Sequence, residues 1–598
     1  MIFSRATKLR FRRRLRVQQQ QVVLLSQQAE AEFERDFFKK IEHLSGKTWR
    51  FVSSWLGLLL LLVGCLVAQM RGLSGYFESP QPVAGGQYSE GIVGSFTNAN
   101  PLYASSEVDT TVSSLVFAGL FHYNDNNQLV GNLAQSWSVN ADGRTYTVKL
   151  KPNLTWQDGQ PLTSADVAFT YKLIQNPDTQ SPLESSWTGV SITTPNTSTI
   201  VFNLPNPLSS FPYSLTNGIV PQHLLANVPA GNLRSAPFNT NPVGAGPFAW
   251  QALQVNGGSS DSQTEEIELK PFASYNGGAP KLGSFVVHTY RSQTDMIAGF
   301  QKQDITAMVG LDSEPAEVQK DGGVRAYDFP LTAAVMTFFQ MSQGVLADNN
   351  VRHALVESAN TNEIIGSLGY PTKAVREPLL EGQLGYNPLY AQAPYNPTAA
   401  AQTLQAAGWT LGKDGVRTKS GTRLSFSLYA PDTPEYADVA GQLQKQWRAV
   451  GVDANIVLQD QTDFAYTLAY HSYDALLYGI SIGVDPDVYA YWDSSQAKPS
   501  SPTRLNFSNY QSGQADASLE AGRTRAVPQL RAIKYESFLQ AWQADAPALG
   551  LYQPRFVYVT RVPVAGLGEH TINTDTDRFD NVQNWTIRTA NISDDKQD

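Results

Sequence analysis

Between Arg50 and Arg71 the chain carries no charged residue, and the run from Phe51 to Met70 is almost wholly apolar. A helix of about twenty residues rises roughly 30 Å, the thickness of a bilayer's hydrocarbon core. A segment this apolar on all sides must be hidden from water, either in a bilayer or in the core of a large fold. Arginines at both ends suit headgroups better than a core, because their charged tips need water or phosphate. Upstream lie Arg5, Lys8, Arg10, Arg12, Arg13, Arg14 and Arg16, then Lys39, Lys40, Lys47 and Arg50. Positive charge is retained in the cytoplasm, so this bias predicts a single-pass protein of the cell membrane. Its N-terminus would be inside and its long C-terminal part outside.

Two features of the head qualify this reading. Leu62-Val63-Gly64-Cys65 resembles a bacterial lipobox, in which Cys65 would be lipidated after cleavage. Yet the preceding head is long, and Leu66-Val67-Ala68 continues the apolar run, as an uncleaved anchor would. Both outcomes stay open. Residues 15–47 are rich in Gln, with Phe33, Phe37, Ile41 and Leu44 at helical spacing. That stripe suits a partner helix, a membrane surface, or a weakly helical tail with no partner. Cys65 is the only cysteine, which excludes a disulfide framework and any multi-thiolate metal site.

Charge separates head from body. Residues 1–50 hold 12 Lys/Arg against 5 Asp/Glu, whereas the whole chain has a net charge of −9. The large part is therefore acidic and would repel phosphate, so nucleic acid is not expected as a partner. The chain divides into a basic head (1–50), a membrane helix (51–70), a Gly/Pro-containing flexible tether (71–87) and an α/β body. The clearest passage of the body runs from Asn126 to Pro177. Asp142-Gly143 is a tight-turn dipeptide flanked by the period-2 pattern Tyr146, Val148, Leu150. A second turn, Asp158-Gly159, follows Trp156, and Thr163-Ser164-Ala165-Asp166 has the form of a capping box. The helix that follows should stop at Asn176-Pro177.

The stretch Gly119-Leu120-Phe121-His122-Tyr123, Leu129-Val130-Gly131-Asn132-Leu133-Ala134-Gln135-Ser136-Trp137 and Asp142 to Leu150, then Trp156 to Val167, closely resembles a known signature. It is that of the extracellular solute-binding proteins of the oligopeptide/dipeptide (family 5) class of bacterial ABC importers. Further landmarks follow in order: Asn100-Pro101-Leu102, Val220 to Leu225, Pro242 to Phe248, Asn349 to Leu355, Tyr473 to Leu477 and Asp485-Pro486-Asp487. The resemblance spans roughly 88–560. It implies an α/β, two-lobed periplasmic-binding-protein-like fold of the cluster C type that closes around a solute. Lobe I would take 88–330 with a returning segment 501–598, and lobe II 331–500. Asp328-Phe329-Pro330 and the Gly/Pro-rich 483–502 are the candidate crossings. The implied role is capture of a peptide or other small solute for ABC permease subunits, with no cofactor. A sensor signalling through the membrane helix and head is the alternative.

An enzyme would need a constellation of reactive groups. The seven histidines show no i, i+3 or i+4 pair, so no helical metal pair is expected. Gly479-Ile480-Ser481-Ile482-Gly483 matches G-x-S-x-G, but Val484-Asp485-Pro486 cannot begin the helix that a nucleophile elbow requires. Asp485-Pro486-Asp487 reads as a turn rather than a calcium site. In peptide-binding relatives, an aspartate four residues before this proline holds the ligand's α-amino group; here that position is Ile482. Either Asp485 or another carboxylate substitutes, or the solute has no free amine. By position in the implied fold, the cleft should be lined by Asn98, Trp187, Tyr478, Gly479, Ser481, Ile482, Asp485, Tyr491 and Trp492. Aromatic planes suit sugar faces and peptide side chains alike.

Overall fold

The computed structural model describes residues 49–257, 263–311, 313–319, 322–501 and 503–593. The Gln-rich stripe of the head lies outside them. Two compact units emerge, one described over 49–81 with 589–593 and the other over Pro82–Arg588.

In the first unit a helix runs from Trp49 to Phe77, and its stretch Phe51–Met70 is long and apolar enough to cross a membrane. Cys65 lies within this helix as a free, exposed thiol. The tether expected over 71–87 is instead regular for most of its length. The helix continues through Gly72 and Gly75 to Phe77, and the strand Glu78–Val83 then pairs with Arg588–Ser593. Gly lowers helix stability only by about 1 kcal/mol, so two of them do not stop a helix that long apolar neighbours sustain.

The second unit is built on two large sheets. The first has seven strands, in the order Arg325–Pro330, Arg555–Thr560, Ala307–Leu311, Gln87–Val93, Ser284–Tyr290, Thr264–Pro271 and Phe248–Asn256. Its centre is parallel and its flanks antiparallel. The second has five strands, ordered Asp453–Gln459, Ser425–Pro431, Ala475–Ser481, Ala333–Phe339 and Ala548–Tyr552. The strand Ala333–Phe339 is buried throughout. Its residues alternate between two cores, Ala334, Met336 and Phe338 facing one and Val335 and Phe339 the other. That two-sided burial is why the strand reads as a continuous apolar run.

A smaller four-stranded sheet belongs to the first lobe and contains the central hairpin of the signature passage. The strands Ala134–Val139 and Thr145–Leu150 form the hairpin turned by Asp142-Gly143. Thr163 and Asp166 form the reciprocal capping box that starts the helix Ser164–Gln175, and Asn176 ends it. The glycines of the Pro242–Phe248 stretch mark close backbone approach. A Cβ on Gly244 would sit 2.0 Å from the Val116 carbonyl oxygen, and one on Gly246 would sit 2.7 Å from that of Leu115.

The chain changes sheets twice, at Leu331-Thr332 and at Gln553-Pro554. In register, Pro330 faces Arg555 on one side of the change and Val335 faces Tyr552 on the other, so the crossings form a single antiparallel ribbon. The second crossing therefore lies well after the expected 483–502. Residues 503–552 remain with the second lobe because their helices, Gly513–Arg523 and Pro528–Asp545, bury Leu519, Tyr535, Phe538 and Trp542 in its core. The returning segment begins at Arg555.

Replacing Gly244 by Ala is expected to destabilise the protein by at least about 2 kcal/mol, because backbone, not a flexible side chain, occupies the space a methyl needs. Chemical denaturation of G244A beside wild type measures this.

Candidate functional site

Three cavities cluster at the crossing ribbon and along the strand end at Ser481. The first-lobe wall encloses about 470 Å³ and carries Thr110, Ser113, Ser114, His122, Tyr123, Asn132, Asn217 and Tyr275. The second-lobe wall encloses about 990 Å³ and carries Tyr470, Tyr478, Gly479, Tyr491, Arg504 and Phe507. Ser481 belongs to both walls, so this residue marks where they meet. A third space of about 800 Å³ is bounded by both lobes and by the crossing residues Thr332, Gln553 and Pro554.

Local geometry explains this arrangement. The strand Ala475–Ser481 carries Tyr478 and Gly479 to the wall, then runs into a loop that holds Gly483 at φ +77°. Both Ile482 N–H and Gly483 N–H donate to the Thr332 carbonyl oxygen at 2.9 Å. The Tyr491 hydroxyl donates to the Ser481 carbonyl oxygen at 2.7 Å, fixing the ring beside the strand end. The next helix does not begin until Tyr489, so Ser481 has no supporting helix behind it.

Asp485 does not face a ligand as a free carboxylate. It forms a two-pronged ion pair with Arg531, both side chains being under 10% exposed at 9% and 7%. Asp487 is likewise engaged, accepting from Ser210 at 2.9 Å and pairing with Arg523 at 3.1 Å. Ser210 lies in the first lobe, so this contact joins the lobes away from the ribbon; Ser209 N–H adds a bond to the Arg523 carbonyl oxygen at 2.9 Å. On the first-lobe wall, burial, with help from Lys151, pushes His122 down to about 4, so the ring is neutral at ordinary pH. Asp577 is held by three protein N–H groups, those of Asn573 and Thr574 main chain and the Asn573 amide.

Of the residues expected at the cleft, Tyr478, Gly479, Ser481 and Tyr491 come together on the second-lobe wall, and Asp485 lies on the crossing cavity. The others do not line these three cavities. Asn98 is buried, its side chain accepting from Asn100 N–H at 2.8 Å. Trp187 stacks on Tyr171 at 4.0 Å between centroids, inside the first-lobe core. Trp492 packs against Phe338 and Trp542 in the second-lobe core, and Ile482 is buried in the same cluster. Large aromatics gain most from full burial, and nothing in sequence separates that fate from a half-open wall. His122, Tyr123 and Asn132 escaped selection although they lie inside the signature passage that identified the fold.

Comparison with known proteins fits this architecture. Residues 128–501 match the family described as bacterial extracellular solute-binding proteins, family 5 middle, and the chain belongs to that family. The oligopeptide-binding protein AppA of Bacillus subtilis is 24% identical over 509 residues, which cover 83% of this chain and 91% of AppA. A putative ABC transporter peptide-binding protein of Brucella ovis is 26% identical over 487 residues, covering 79% and 88% of the two chains. Among solved structures, NikZ from Campylobacter jejuni in complex with Ni(L-His) superposes with a TM-score of 0.70 at 25% identity, covering 84% of this chain and 99% of NikZ. AppA from B. subtilis in complex with a nonapeptide gives 0.67 at 23% identity, covering 85% and 100%.

Two measurements test these electrostatics. Asp485→Asn leaves the Arg531 guanidinium buried without its counter-charge and should cost about 3–5 kcal/mol in denaturant unfolding. The double variant D485L/R531M removes both charges and should recover most of the loss. For His122, the unfolded chain takes up a proton near pH 6.5 while the folded chain resists until about 4. Stability held above 6.5 is therefore lost as pH falls between those values, by up to about 3 kcal/mol. His122→Asn should flatten that acid slope relative to wild type.

Proposed function

We propose that this protein is a membrane-anchored receptor that captures a polar solute between its two lobes and delivers it to ABC permease subunits. The helix Phe51–Met70 would be the anchor, with the basic head in the cytoplasm and the solute-binding unit outside. The receptor does no covalent chemistry on its solute; the loop after Ser481 lacks the helix a serine nucleophile requires. Ligand contacts are assigned to Tyr478, Gly479, Ser481 and Tyr491 from the second lobe, and to His122, Tyr123 and Asn132 from the first.

The observation that carries this reading is the pair of walls meeting at Ser481, one rich in hydroxyl, amide and neutral imidazole groups and the other in aromatic rings. Such a lining orients a solute through a few hydrogen bonds and stacks its apolar or ring faces. On the second-lobe side it offers no free carboxylate to a ligand ammonium. Ile482 is buried and Asp485 is paired with Arg531, while Asp577 on the first-lobe wall has its Oδ2 taken by three protein donors. A solute without a free amine, such as a sugar or a blocked peptide, fits best. The relatives' names keep a peptide as the second reading, since AppA of B. subtilis holds a nonapeptide. In that case the exposed Glu381, on the crossing cavity, is the carboxylate to receive the amine.

Native mass spectrometry of the detergent-solubilised full chain, followed by denaturing identification of any retained solute, tests the proposal. A neutral polar solute, retained by wild type and depleted in Tyr491→Ala, is the expected result. A peptide with a free N-terminus would overturn the amine-free assignment. A chain that retains nothing, and whose unfolding temperature is unmoved by sugars and peptides, would count against the receptor reading itself.

A further inference from the structure

Beside the solute-facing groups, three side chains converge on the first lobe; Asp580 also lines the first-lobe cavity, but none of the three is among the contacts assigned to the solute. Asp125 lies in the turn between the strands Phe121–Tyr123 and Leu129–Gly131, His570 in the returning segment, and Asp580 just after the helical turn Asp575–Phe579. One donor atom from each lies within 4.8 Å of the other two. The Asp580 side chain is only 4% exposed, and no donor meets its carboxylate oxygens in full hydrogen-bonding geometry, its nearest polar neighbours being the Asp125 carboxylate and the Asn581 N–H. Asp580 Oδ2 is 3.7 Å from His570 Nε2. The other ring nitrogen, Nδ1, lies 2.8 Å from the Gly568 carbonyl oxygen, which can only accept. That contact places the proton on Nδ1 and leaves the Nε2 lone pair directed at the carboxylates. Asp125 is oriented in turn, its Oδ1 accepting from the Asn581 amide at 2.9 Å.

Two carboxylates and a lone-pair nitrogen facing one another, one carboxylate being buried, are stabilised by a cation or a shared proton between them. We propose that Asp125, His570 and Asp580 form a divalent-cation site, with zinc as the ion its donors suit. One imidazole and two carboxylates form a donor set that a borderline cation takes in tetrahedral geometry with a water as fourth ligand, whereas calcium and magnesium prefer all-oxygen shells. Asp125 is exposed, which gives the ion an entry path. The backbone around His570 already follows an arrangement that favours ligation, its Nδ1–H to carbonyl bond being the usual way a metal-ligating ring is held.

The site's position gives it a consequence. The His570 ring stands edge-on to Phe329 at 5.6 Å, and Ile572 N–H donates to the Pro330 carbonyl oxygen while Thr332 N–H donates to that of Ile572, both at 2.9 Å. A bound ion would thus pin the returning segment that grips the first crossing, tying it to the 121–131 hairpin.

Zinc alone is the probe. The full chain, detergent-solubilised and stripped with chelator, is titrated with Zn²⁺ by calorimetry and followed by thermal unfolding. Wild type should bind one equivalent tightly and melt at higher temperature with zinc. His570→Gln and the exposed Asp125→Asn should each weaken that equivalent by at least about tenfold to a hundredfold, the loss that altering even a metal's outer-shell partners causes. His223→Gln, an exposed histidine paired with Asp158 elsewhere on the lobe, should bind like wild type. Substitution with Co²⁺ gives a second readout: a visible absorption band in wild type that H570Q lacks. Zinc affinity equal in wild type, H570Q and D125N would overturn the proposal. So would a melting temperature indifferent to zinc combined with a more stable Asp580→Asn, which would assign the positive charge to a shared proton.

Discussion

Thr332 sits in the middle of the first crossing, and each of its polar groups holds a different part of the molecule. Its carbonyl oxygen accepts from both Ile482 and Gly483, fixing the strand end that forms the second-lobe wall. Its N–H donates to the Ile572 carbonyl oxygen, and its hydroxyl to Asn573 Oδ1 at 2.6 Å, fixing the returning first-lobe segment. One residue thus ties both lobes to the ribbon. The ribbon supplies the complementary constraint: Leu331 N–H donates to the Pro554 carbonyl oxygen at 3.0 Å, so the two crossings are bonded to each other where the sheets part. Two strands that share hydrogen bonds can twist and flex together, but neither can move alone. The lobes are individually stiff, each with a large buried core, so relative motion is confined to the few residues that belong to neither sheet.

The charges near the cleft follow from the same economy of partners. Asp485 and Asp487 flank Pro486 in the loop beyond Ser481, and both are spent on protein. Arg531 takes Asp485 within the second lobe, and Arg523 and Ser210 take Asp487 at a contact that spans the lobes. A buried carboxylate with a bidentate arginine is a poor receptor for a second cation, because the local positive charge opposes it. The loop is therefore a structural brace on one side and a bonding edge on the other, with main-chain groups and hydroxyls left to meet the solute. Its chemistry favours hydrogen bonding over charge pairing, which matches the neutral His122 on the opposite wall.

Much of this was legible in the residues. Asp142-Gly143, the Thr163–Asp166 capping box and Asn176-Pro177 specify their elements by local chemistry, and each lies where that chemistry puts it. The family follows from the same passage, and the glycines of Pro242–Phe248 are explained by the backbone of Leu115 and Val116 pressed against them. The second crossing was not legible. Gln553-Pro554 is a two-residue step between two apolar strands, whereas 483–502 has the glycine and proline content that usually signals a change of domain. Long-range pairing, which no local pattern encodes, decided the matter. Trp187 and Trp492 failed as wall residues for a related reason: burial of a large ring is favourable in a core and in a cleft, and only the surrounding fold decides which is on offer.

The groups at Asp125, His570 and Asp580 were invisible to sequence because Asp125 stands more than four hundred residues before the other two and no shared helix brings them together. Their meeting depends on the returning segment wrapping the crossing, which in turn depends on the buried pair of Arg578 with Glu90. Arg578 is fully buried, and Glu90 also accepts from the Tyr558 hydroxyl at 2.7 Å, so the central strand of the seven-stranded sheet anchors the segment from within. From that anchor the chain of contacts runs outward without a gap. Arg578 holds the helical turn, the turn positions Asp577 on Asn573, Asn573 accepts from Thr332, and Thr332 holds Ile482 and Gly483. A change in the charge balance at Asp580 therefore acts on a segment one bonded step from the ribbon and two from the strand end at Ser481. Cation chemistry in the first lobe and solute chemistry in the cleft share the same few residues as their mechanical support.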